Sequence, residues 1–165
     1  MFSMILRSTI LILKLVGTKH EIAKKKFSVG FTENSQLTGT TRFDLFIGAG
    51  REDRADMFRA KEPSEALRPN NTRKLAVDVP TITIKVDRPD GLAQLCNNAH
   101  FWLADIDGKI RVVILIHTHA DNRGLHLEYW KMYKDRIPAE LQELYFSRLV
   151  NGSISVIPRY PQCRF

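Results

Sequence analysis

Ile110-Arg-Val-Val-Ile-Leu-Ile-His117 is an almost continuous apolar run in which only Arg111 and His117 carry polar side chains. Eight residues suit a strand, and a strand this apolar on both sides of its pleat has to be buried on both faces. The run therefore demands a sheet with cover above and below it.

The neighbouring segments supply partners for that strand. Pro80-Thr-Ile-Thr-Ile-Lys-Val-Asp87 alternates strictly, with Ile82, Ile84 and Val86 facing one way and Thr81, Thr83, Lys85 and Asp87 the other. Between the two strands, Leu92, Leu95, Cys96, Ala99, Trp102 and Leu103 repeat at helical spacing and predict an amphipathic helix over 91–104. Asp107-Gly108 reads as the turn into the apolar run. After a second turn at Asp121-Asn-Arg-Gly124, Leu125-His-Leu-Glu-Tyr-Trp130 alternates again and predicts a hairpin.

Flanking this centre, Phe27–Thr32 and Arg42–Ile47 read as strands, and Asp56–Arg59 as a shorter one. Glu62–Asp78, with two prolines and paired asparagines, reads as a long surface loop. Leu141, Leu144, Tyr145 and Leu149 behind Pro138 fit a helix stopped by Asn151-Gly152, with a last strand over Ser153–Ile157. The expected fold class is α/β, a mixed central sheet flanked by helices. It is not doubly wound, because hairpins outnumber crossovers. A chain of 165 residues suits one domain, 27–165, behind an apolar and basic helical segment, 1–26.

That first segment is interrupted by Arg7 and Lys14, so no run reaches the ~20 apolar residues that span a bilayer. It has no small-residue cleavage site, which argues against a secretory signal, and it reads as a buried helix. The Arg and Ser before Glu21, without an acid among them, also fit a mitochondrial presequence. Two cysteines, Cys96 and Cys163, are too few for a disulfide framework and point to an intracellular setting, cytoplasmic or nuclear.

A net charge of +7 invites a nucleic-acid partner. Its placement weakens the argument. Residues 1–31 carry six basic side chains against Glu21, and 146–165 carry three with no acid, which leaves the middle of the chain at −1. Lys24-Lys25-Lys26 reads as a solvated helix end, and Phe101, Trp102, Tyr129 and Trp130 as core or core-edge residues. No Gly-rich phosphate loop and no Ser/His/Asp arrangement of recognisable spacing is present.

The stretches Pro80–Asp87, Ala99-His-Phe-Trp-Leu103, Gly108–Ile116 and Leu125–Trp130 follow a short aspartate-bearing segment and a long polar loop. In that order they resemble the restriction-endonuclease-like PD-(D/E)xK nuclease superfamily, and most of all a fungal branch of it. The likeness covers about half the chain and rests on hydrophobic pattern and spacing. It implies a restriction-endonuclease-like fold, descent from Mg²⁺-dependent phosphodiesterases, and a site built from Asp56, Lys85 and Asp87, with Asp56 and Asp87 on the metal. Asp56 follows Ala55 where the family often has proline, and Lys85-Val-Asp87 inverts the family's acid-x-lysine order. Such enzymes hold Mg²⁺ between two acids and lower the pKa of a bound water. An ammonium held ~5 Å from a divalent ion costs roughly 7 kcal/mol at an effective dielectric of ~20. The expectation is thus a degenerate site with weakened or lost metal binding and catalysis, or a non-catalytic module that binds nucleic acid or protein.

His117-Thr-His119-Ala-Asp121 offers a third reading, a zinc metallohydrolase, since it matches the His-x-His-x-Asp pattern of the metallo-β-lactamase fold. That pattern wants a histidine after the aspartate, where this chain has Asn122, and His126 is the sole histidine downstream. The plainer alternative places His117 and His119 at a strand end beside a turn, with His20 and His100 on a surface or helix face.

Overall fold

A computed structural model describes residues 18–41, 44–48, 61–75, 78–87, 92–105, 108–118, 124–133 and 137–159. Among these, seven strands form one sheet in chain order: β1 (Leu45–Gly48), β2 (Glu65–Pro69), β3 (Ile82–Asp87), β4 (Val112–Thr118), β5 (Gly124–Met132), β6 (Pro138–Arg148) and β7 (Ile154–Arg159). Every neighbouring pair is antiparallel except β3–β4. The crossover of that parallel pair carries helix α2 (Leu92–His100) and a π-helical segment, Phe101–Asp105. A longer helix, α1 (Thr18–Leu37), precedes the sheet. The fold is therefore α/β with a mixed sheet, as the apolar pattern requires.

β4 is covered on both sides. Ile114 and Ile116 join Leu67, Ile84 and Val86 under Ala23, Phe27 and Phe31 of α1. Val113 and Leu115 join Trp130 under Leu95, Ala99, Phe101, Trp102 and Leu103. The π-helical widening has a packing reason: Phe101, Trp102 and Leu103 are consecutive and all buried, which successive steps of ~100° in a regular α-helix do not favour. Ile82, Ile84 and Val86 share the α1 face, as their alternation predicts, and β4–β5 is the expected antiparallel pair.

Three expected elements are different. Phe27–Thr32 is not a strand but the middle of α1, where Ala23, Phe27 and Phe31 recur every four residues and meet the sheet. The loop expected over Glu62–Asp78 contains β2, whose buried Glu65 and Arg68 disguise it. Glu65 accepts a hydrogen bond from the Ser28 hydroxyl at 3.3 Å, and Arg68 donates to the carbonyl of Leu75. The helix expected after Pro138 is strand β6. Its register against β5 shifts between Tyr129 and Trp130, so Leu141 is an extra residue. A bulge of this kind breaks the two-residue period and leaves apolar spacings that mimic a helix. Asp56–Arg59 and Met1–Gly17 lie outside the described residues, and the expected 1–26 segment is represented by the start of α1, which continues through residue 26.

Candidate metal centre

On the α2 face, β4 presents Val113, Leu115 and then His117, continuing a row whose first two members are core. β5 presents Trp130, Glu128 and His126 to the same face, because alternate residues share a side of a strand. Antiparallel register sets His117 opposite His126 and Leu115 opposite Glu128. Three polar side chains are thereby gathered at the end of the core rather than in solvent. His117, His126 and Glu128 are only 3%, 8% and 2% exposed.

Their contacts are specific. His117 Nε2 lies 3.1 Å from Glu128 Oε1, and His126 Nδ1 lies 3.7 Å from the same oxygen. Trp130 Nε1 donates to the other oxygen, Oε2, at 2.7 Å. The two imidazoles stack at 5.0 Å, and Tyr145 of β6 stacks on His126 at 4.1 Å with an interplanar angle of 8°. Arg159 of β7 lies over the Tyr145 ring at 4.7 Å. His100, at the end of α2, meets Trp130 edge-on.

Burial opposes ionisation of Glu128, but hydrogen bonds from His117 and Trp130 and the nearby imidazoles outweigh it and hold the carboxyl below its ordinary value. Glu140 goes the other way. Burial first, then a hydrogen bond with Glu143 and repulsion from Glu128, push it up to about 8. One carboxylate is thus kept charged beside a second that keeps its proton at neutral pH. Burial also raises the Cys96 thiol, to about 11, with Glu128 and Glu140 adding to the effect, so it is not a ready thiolate.

One ligand atom from each of His117, His126 and Glu128 falls within 4.8 Å of the others, close enough to hold one metal ion. Two imidazoles and a carboxylate suit Zn²⁺ and its first-row neighbours, whereas Mg²⁺ wants oxygen donors throughout.

Among the described residues expected from the sequence, His117 alone enters this cluster. Asp56, His119 and Asp121 lie outside the described residues. Lys85 occupies the α2-facing side of β3, where its ammonium donates to the carbonyl of Glu62 at 2.6 Å. Asp87 ends β3 and is the register neighbour of His117. The other two members of the cluster, His126 and Glu128, carried a readable signal: they alternate with apolar residues and share a face with Trp130. What the sequence lacked was the pairing that sets His117 against His126. Compared with protein-family models, curated proteins and solved structures, the chain matches none.

Proposed function

We propose that this chain is a Zn²⁺-binding protein whose centre is His117, His126 and Glu128, and that hydrolysis is its reaction class. The observation that carries this reading is the convergence of two imidazole nitrogens and one carboxylate oxygen within 4.8 Å. Three protein donors are the complement of hydrolytic zinc sites, where the fourth position takes a water whose pKa the ion lowers. Trp130 orients Glu128 through its indole N–H, and Tyr145 backs the His126 ring. Both fix ligand geometry in the way outer-shell partners do at metal sites. Glu140, protonated at neutral pH, is a proton donor on the same side of the sheet.

The full chain, titrated calorimetrically with Zn²⁺, is expected to bind one equivalent at micromolar or tighter affinity, to release protons on binding, and to give no such isotherm with Mg²⁺. His117→Ala and Glu128→Gln each weaken it at least about tenfold. An isotherm unchanged in both variants overturns the reading.

A nuclease-like protein of restriction-endonuclease-like architecture is the second reading, favoured by one observation: Asp87 is the register neighbour of His117, with Lys85 on the same strand. It predicts plasmid cleavage with Mn²⁺ that Asp87→Asn abolishes. Nucleic-acid binding without cleavage, weakening as salt rises, marks the module that has lost catalysis.

A further inference from the structure

The opposite face of the sheet holds a second chain of directed hydrogen bonds. Ser64, which leads into β2, is 8% exposed. Its hydroxyl oxygen accepts the main-chain N–H of Val86 at 3.1 Å and lies 3.0 Å from Nε2 of His20 on α1. On the other side of that imidazole, Nδ1 is 3.3 Å from Glu21 Oε1. The Glu21 carboxyl is held below its ordinary value, first by its hydrogen bond with Lys24, whose Nζ lies 3.3 Å from Oε2.

These contacts decide the proton positions. An ionised Glu21 can only accept, so the imidazole proton belongs on Nδ1. Nε2 is then an acceptor. The Ser64 oxygen already receives the Val86 N–H, so its own hydrogen is the one directed at Nε2. A hydroxyl, an imidazole placed to take its proton, and a carboxylate that orients the ring are the parts of an activated nucleophile. Beside Glu21 lies an open cavity of about 360 Å³ between α1 and β2, which Glu21 lines together with Ile22, Lys25, Ser28, Val29 and Glu65 among others.

We propose that Ser64, His20 and Glu21 form a second reactive centre, with Ser64 as nucleophile, His20 as general base and Glu21 as its orienting partner, acting on short aliphatic acyl esters. Ser64 Oγ bonds to the ester carbonyl carbon while its proton passes to His20 Nε2, and the carbonyl electron pair moves to oxygen. Collapse re-forms the carbonyl and breaks the bond to the leaving alkoxide, which takes the proton from His20. Water then attacks the acyl-serine, giving a proton to His20 and releasing the acid when that proton returns to Ser64. Ile22 and Val29, in the cavity that Glu21 lines, supply apolar wall for a short acyl chain.

The test is labelling of the full chain, in EDTA, by a fluorescent fluorophosphonate, in which Ser64 displaces fluoride from phosphorus. The expected result is one label per chain, a rate at least about 100-fold lower in Ser64→Ala, and at least about tenfold lower in His20→Gln. Glu21→Gln slows it by less, and Ser155→Ala, on β7 and away from the cavity, leaves it unchanged. If Ser64→Ala does not fold, His20→Gln decides, with its circular dichroism matched to wild type. No label on the wild-type chain, a rate undiminished in His20→Gln, or labelling abolished by EDTA overturns the proposal. Because the assay excludes metal, its failure leaves the zinc reading standing.

Discussion

Glu140 and Glu128 are placed on neighbouring strands of one sheet face, yet they hold protons differently because their partners differ. Glu128 receives donors from His117 and Trp130; Glu140 shares a hydrogen bond with another acid, Glu143. The stability consequence of Glu140 has a definite sign. Its carboxyl is pushed up to about 8 in the folded chain from an ordinary value of 4.5, so the folded state binds the extra proton between those limits. Its contribution is fully present below about pH 4.5, declines as pH rises through that window, and is lost above about 8. Glu140→Gln removes the decline. The variant is expected to match wild type in thermal unfolding at pH 5 and to exceed it at pH 9. Half-exposure screens the effect to about 1 kcal/mol, or 2–4 °C in a chain of this size. Equal melting temperatures at both pH values would show that Glu140 is not protonated in the folded state.

At the scale of elements, what could be read from the sequence divides by how each segment is buried. β3, α2 and β5 were legible because each meets the core through one period, two residues for the strands and near 3.6 for the helix, and β4 because it is apolar on both faces. β2 was not, because its charged Glu65 and Arg68 are buried against partners remote in sequence, Glu65 against Ser28 and Arg68 over the Phe46 ring. β6 was misread because one extra residue at a register shift breaks its alternation. In α1 the glycine and β-branched residue between Phe27 and Phe31 resemble a strand, while the four-residue spacing of Ala23, Phe27 and Phe31 decides for a helix. The candidate site followed the same rule. Its β5 half was visible as alternation, and its union with His117 depended on a register that spacing alone does not encode. The π-helical segment carries the largest fully buried side chain among the described residues, Trp102. Trp102→Ala is expected to destabilise the fold by about 3–5 kcal/mol in urea unfolding, since the indole fills the layer between helix and sheet. A loss below about 1 kcal/mol would mean that the helical layer does not pack on β4 and β5 as described.

Over the whole molecule, the helices are concentrated on the middle of the sheet. α1 packs on β3 and β4, while α2 and the π-helical segment pack on β4 and β5. β6 and β7 extend beyond that cover, with Ile154, Val156 and Ile157 at least half exposed. The cluster of His117, His126 and Glu128 stands at this boundary. Its side chains come from β4 and β5, and the Tyr145 and Arg159 that extend its stack come from β6 and β7. An ion bound to β4 and β5 would tie the end of the covered core to the pair of strands that depend most on ladder hydrogen bonds. Because the unfolded chain does not preform the ligand set, occupancy must raise folding stability, by about 2.7 kcal/mol when free Zn²⁺ is 100 times its dissociation constant. For a domain of this size that corresponds to about 5–11 °C in melting temperature. The expected outcome is an upward shift of that order with Zn²⁺, reversal by EDTA, little shift with Mg²⁺, and a shift reduced to about half or less with Zn²⁺ in His117→Ala. The shift should also shrink as pH falls, because binding displaces protons from imidazole and carboxyl donors. A Zn²⁺ shift undiminished in His117→Ala would locate the ion elsewhere, and the coupling between core and outer strands would then have to come from the ladder alone.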